Sequence, residues 1–123
     1  MPLPQLNVYR HDRGTRALIT LAGEIDLATA PQVSAALAEC LSDGIRSIDV
    51  DLTAVTFCDA SGLNAFLTAF RLVTDAGRTL RLHYPSRAMA RVIEITGSGF
   101  LLHPVLTGRA RSRRIPVAAG SAL

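Results

Sequence analysis

The chain reads as a single α/β domain built on one mixed β-sheet of four to five strands. Helices lie mainly on one face, in the order β-β-α-β-α-β-α-β. Three observations predict this. Two extended runs, "QLNVYRH" and "TRALITLAG", flank "DRG" as a leading hairpin whose glycine is free to take positive φ. "SIDVDLTAV" alternates, with Ile48, Val50 and Leu52 on one face and Asp49 and Asp51 on the other, so the sheet is covered on one side and wet on the other. Between it and a second alternating run, "TLRLHY", lies a stretch of helical period. A strand, helix, strand unit of that length makes a right-handed parallel crossover.

The helices follow from spacing. After the hairpin, Val33, Ala36, Leu37, Cys40 and Leu41 recur at helical intervals, with Thr29 placed as N-cap, Pro31 in the first turn and Gly44 as the stop. In "SGLNAFLTAFRLVTDAG", Leu63, Phe66, Leu67, Phe70 and Val73 form the buried stripe and Gly77 ends the helix. Past Pro85, Ser86 caps "RAMARVIEIT", in which Met89, Val92, Ile93 and Thr96 share a face, and "FLLHPVL" is a last short extended segment. No internal repeat or low-complexity linker interrupts this order.

Length and composition agree with one packed domain: 123 residues and 49% apolar content are enough for a core. The N-terminus lacks a basic-then-apolar signal pattern, and no apolar run approaches the ~18 residues of a membrane span, which leads to the expectation of a soluble, cytoplasmic protein. Cys40 and Cys58 are too few and too far apart for a metal site or disulfide framework, and read as small buried hydrophobes. No cofactor and no metal are expected. All 13 basic residues are arginine, and four of them sit in "GRARSRR" near the C-terminus. Without those four, nine arginines face ten carboxylates, so the folded part is near neutral and offers no basic face for nucleic acid. Residues 1–106 are read as the domain and 107–123 as a solvated, flexible arginine-rich tail, with no membrane partner assigned.

The chemistry concentrates in "TFCDASGLNAF", residues 56–66. Ser61 falls where a strand gives way to a helix, the end of an α/β sheet at which ligands and partners are met. A plain N-cap serine is one reading, worth ~1 kcal/mol. A hydrolytic nucleophile is another, but a nucleophile elbow places glycine two residues before the serine and this chain has Asp59 there. None of His11, His83 and His103 lies in a recognisable triad motif. A phosphoacceptor Asp59 of the response-regulator kind needs a lysine, and the chain has none; the same lack removes a P-loop. The remaining reading is Ser61 as a hydroxyl that another protein modifies.

"GEID" (23–26), the helix after it, "FCDASGL" (57–63) and "ITG" (95–97) together resemble the anti-sigma factor antagonist family, the STAS domain, over about residues 7–106. The resemblance implies a STAS-like fold and a non-enzymatic switch. It further implies binding to an anti-sigma factor serine kinase of the histidine-kinase-like ATPase fold, phosphorylation at Ser61, and reversal by a PP2C-type phosphatase. By resemblance the partner surface comprises Asp26, Asp59, Ala60, Ser61, Gly62 and Asn64, with Asp59 orienting the hydroxyl or capping the helix and Gly62 admitting a partner's backbone. A non-phosphorylated STAS adaptor in a stress-signalling or lipid-transport assembly is the alternative. A phosphate at a helix N-terminus is expected to meet free backbone N–H groups and the positive end of the dipole. Two departures stand out: Ala60 occupies a place where many members carry serine or threonine, and "SGFLLHPV" replaces the usual leucine and charged pair after "ITG".

Overall fold

A computed structural model describes residues 5–102. The strands are β1 (Leu6–Arg13), β2 (Arg16–Ile25), β3 (Ser47–Cys58) and β4 (Thr79–His83). The helices are α1 (Ala30–Ser42), α2 (Ala60–Asp75) and α3 (Arg87–Ile95), followed by a 3-10 turn, Gly99–Leu101. The sheet runs β1-β2-β3-β4, with β1 antiparallel to β2 and the other neighbours parallel. This is the mixed α/β sheet and element order expected from the sequence. The hairpin turn falls at Gly14–Thr15, one step later than "DRG", because Arg10 grips Asp12 at 2.8 and 3.0 Å and keeps it in the strand. The same guanidinium reaches Asp43 at the end of α1, also at 2.8 Å.

Alternation decides which face is covered. Ile19, Leu21, Val50, Leu52, Leu80 and Leu82 turn inward and share one core with Val33, Leu37, Phe66 and Val73 of the helices. The opposite face carries exposed Tyr9, Leu18 and Arg81, and Asp49 there accepts from Arg16 at 3.2 Å and pairs with His83 at 2.8 Å. Burying a core aliphatic of this size is worth ~1.5–3 kcal/mol each, which outweighs the modest helix preference of either flanking run. Among the described residues no helix is long and apolar enough to cross a membrane.

Four sequence expectations change in detail. Strand β3 runs on to Cys58, three residues beyond "SIDVDLTAV", because two irregularities in its pairing with β2 absorb the break in alternation. Thr29 occupies the N-cap position of α1 but its side chain makes no cap bond there; the hydroxyl is used in the preceding turn instead. In α3 only Met89 and Ile93 are buried; Val92 is 46% exposed and Ile95 70%, since a nine-residue helix touching the core along one i, i+4 line leaves its flanks outside. The extended segment expected over 100–106 begins as the 3-10 turn, in which Leu101 is buried and Phe100 packs on Phe70 with ring centroids 4.8 Å apart. Residues 103–106 and the arginine-rich tail lie outside the described residues.

Gly23 marks the second irregularity, with φ of 123°, and a Cβ placed there would overlap the Gln5 carbonyl oxygen. Gly23→Ala is expected to lower the unfolding free energy by ~2 kcal/mol or more, read as a drop in urea midpoint at constant m-value.

Candidate functional site

The site forms where β2 and β3 end. Asp59 stays extended (φ −98°, ψ −170°), and its N–H donates to the Ile25 carbonyl at 3.1 Å, carrying the parallel ladder past the last paired residues. Its side chain then caps α2: Oδ1 accepts from the Ser61 N–H at 2.8 Å and the Gly62 N–H at 3.3 Å. Asp59, not Ser61, is therefore the N-cap, and its Oδ1 is held by backbone amides, with no hydrogen bond to the Ser61 hydroxyl. Such a cap is worth ~1 kcal/mol. Ser61 sits at the second helical position, half-buried, and its hydroxyl makes no hydrogen bond among the described residues. Two of the amides foreseen as free to receive a phosphate, those of Ser61 and Gly62, are already taken by the cap.

Each of the other motif residues has a definite place. Ala60 and Asn64 are exposed. Gly62 is buried and faces inward: an added Cβ would come within 2.6 Å of both Cys58 Sγ and Ile25 Cγ2. Its lack of a side chain thus serves the packing of α2 on the sheet end. Asp26 follows β2, beside Asp59, and its Oδ1 accepts from the N–H groups of Ala28 and Thr29 at 2.9 and 3.1 Å. The loops bring Asp26, Asp59 and Ser61 to one end of the sheet, as their places at the ends of two paired strands dictate.

A shallow open groove runs between the N-terminal halves of α1 and α2. Leu27, Pro31 and Ser34 line one side, and Ser61, Asn64 and Thr68 the other. Leu27 and Thr29 were not legible as site residues. The available signal was an apolar residue isolated between Asp26 and Ala28, belonging to neither the strand nor the helical stripe. A wider recess between α3 and the 3-10 turn, with Arg87, Arg91 and Phe100, contains none of residues 23–26 or 57–63.

Geometry also bears on catalysis. His83 pairs in register with Asp51, seven residues before Cys58, and His11 pairs with Leu18, seven before Ile25. At ~3.3 Å per residue each lies about 20 Å from the motif, too far to take a proton from Ser61. His103 lies outside the described residues. Among the described residues no group of three or more His, Cys, Asp or Glu side chains is arranged to hold a metal. Cys58, half-buried beside the motif, has its thiol pushed up to about 11 by burial and then by the neighbouring Asp59 carboxylate. It is a protonated filler at neutral pH.

Two measurements probe this junction. Gly62→Ala is expected to cost ~1–3 kcal/mol by overpacking against Ile25 and Cys58, read by chemical denaturation. Alkylation of native Cys58 by iodoacetamide should be slow at pH 8 and accelerate up to about pH 11. The sign for stability runs the other way: a thiol whose folded pKa is raised stabilises the fold below its ordinary value near 9, and that contribution is lost as pH climbs from 9 toward 11. A Cys58 that alkylates at the rate of a free thiol at pH 8 would contradict the burial.

Comparison with known proteins agrees with this architecture. The family described as "Mlab, STAS domain" matches residues 10–103. The anti-sigma-B factor antagonist of Staphylococcus aureus is 31% identical over 85 residues, covering 69% of this chain and 79% of that protein; the one from Staphylococcus epidermidis is 26% identical over the same length. Among solved structures, an anti-sigma factor antagonist from Mycobacterium paratuberculosis superposes with a TM-score of 0.72 at 23% identity, covering 86% of this chain and 92% of its own. SpoIIAA in its unphosphorylated form superposes with a TM-score of 0.70 at 18% identity, covering 88% and 89%. Likenesses at that level of identity speak for the fold alone, whereas the family match spans most of the chain. With its sheet order, its strand-to-helix serine and that match together, the chain belongs to the STAS-domain family.

Proposed function

We propose that the chain is an anti-sigma factor antagonist whose unphosphorylated form binds an anti-sigma factor serine kinase, and so releases a sigma factor. Phosphorylation of Ser61 by that kinase switches it off, and a PP2C-type phosphatase restores it. The observation that carries the reading is a half-buried serine at the second position of α2, its hydroxyl without a hydrogen bond among the described residues, beside a carboxylate that holds the helix terminus. The name of the Staphylococcus aureus relative supports it.

Phosphorylation adds about −1.5 to −2 of charge and three acceptor oxygens. On this chain that charge lands next to Asp59 and across the groove from the Asp26 turn. A partner packed over the bare serine would have to desolvate it. A penalty of ~3 kcal/mol weakens a complex more than a hundredfold, so no large movement of the domain is needed. The second reading is a STAS adaptor that is never phosphorylated and serves a stress-signalling or lipid-transport assembly; the match to a STAS domain is common to both. Incubation with the candidate kinase and ATP, with mass spectrometry of residue 61, separates the two.

Ser61→Ala should bind the purified kinase and accept no phosphate; label on any other residue would show the site assignment to be wrong. Ser61→Glu should weaken binding about a hundredfold or more while lowering Tm by a few degrees only, because one added charge beside Asp59 costs ~1 kcal/mol in water.

A further inference from the structure

We infer that Leu27 is a preorganised apolar anchor for the protein that docks over Ser61, and that this partner meets it with an apolar pocket rimmed by cationic side chains. The inference rests on the reading of Ser61 as the centre of a docking surface. Leu27 is 78% exposed, more than any other large apolar residue described. A leucine in a mobile loop would be unremarkable, but this one sits on a turn held by hydrogen bonds on both sides of it. The Asp26 N–H donates to Thr29 Oγ1 at 2.9 Å, and Thr29 Oγ1 donates to the Glu24 carbonyl at 2.9 Å. The Ala28 and Thr29 N–H groups donate to Asp26 Oδ1, and the Ala30 N–H to the Asp26 carbonyl at 2.8 Å. Thr29 itself is buried. The turn therefore holds Leu27 outward before any partner arrives, and little ordering entropy remains to be lost on binding.

Place and charge specify the partner. Leu27 lines the same groove as Ser61, and between them Ala30, Ser34 and Ala65 are small enough to admit a side chain from outside. The two segments that build this end of the sheet, 17–45 and 47–70, contain no arginine or lysine, while the carboxylates of Asp26 and Asp59 sit in the turns that carry Leu27 and Ser61. An apolar knob in an anionic setting fits a pocket bordered by cations. The geometry also gives Asp26 a positioning role: its Oδ1 is committed to the turn that displays Leu27.

The test titrates the full chain with the anti-sigma factor that copurifies with it from the native cell, and compares Leu27→Ala, Leu27→Met, Asp26→Ala and Asp26→Asn. Leu27→Ala should weaken binding about tenfold or more with Tm unchanged, and Leu27→Met should stay within a few-fold of wild type. Asp26→Asn, which keeps the acceptor oxygen, should rescue most of what Asp26→Ala loses; equal losses would make Asp26 a direct charge contact and overturn the positioning role. Full affinity in Leu27→Ala overturns the anchor while leaving the functional reading intact. A wild-type chain that binds no anti-sigma factor defeats the functional reading and the anchor with it. Leu27-dependent self-association of the chain alone, seen by sedimentation, would assign the patch to a second copy and overturn the proposal.

Discussion

The Asp59 carboxylate and the backbone that carries it set the geometry on which the rest of the site depends. Its N–H adds a rung to the β2–β3 ladder and its Oδ1 closes the first turn of α2, so one residue fixes both where the sheet stops and the direction in which the helix leaves it. Everything in that first turn follows. Gly62 is driven onto Ile25 and Cys58, where no Cβ fits, and Leu63 is buried behind it. Ala60 and Ser61 are left on the outer side. The presentation of the serine is a consequence of the cap and of the glycine's packing, and owes nothing to the serine's own side chain.

What the sequence disclosed and what it hid divide along physical lines. Periodicity reports burial, so the alternating aspartates of β3 and the stripe of α2 were legible, and with them the sheet, its covered face and the location of Ser61. Hydrogen-bond competition is not periodic. "DASG" leaves open whether the aspartate caps the helix or orients the hydroxyl, and nothing in "EIDLATA" states that Thr29 would spend its hydroxyl on the Glu24 carbonyl instead of capping its own helix. Both outcomes turn on local backbone geometry over two to five residues, which residue identity alone does not state. Gly62 shows the same limit: sequence leaves open whether a glycine serves a partner or its own fold, and only the Ile25 and Cys58 atoms beside it decide. Short elements were harder still. In α3 a single residue of register separates a buried Ile93 from an exposed Val92, and in the 3-10 turn Phe100 answers to Phe70, a contact across the chain that local pattern does not carry.

The occupied amides change how a phosphate on Ser61 would act. With free N–H groups the modified serine would be soothed by its own helix. Here the cap takes those of Ser61 and Gly62, and the flanking segments supply no cation. The added charge is therefore only weakly compensated, and the question is where its cost falls. Two unit charges about 4 Å apart repel by ~1 kcal/mol in bulk water and by ~4 kcal/mol at an effective dielectric of 20. Open to solvent, a phosphate dianion beside Asp59 costs the fold about 2 kcal/mol, which a domain with 5–15 kcal/mol of stability survives. Covered by a docked protein, the same pair costs several times more. On the proposed reading the switch is this difference in dielectric between the free and the docked surface, and it needs no second conformation of the domain: the cap that fixes the serine's place also takes two of the amides that would otherwise relieve its phosphate once a partner closes over it.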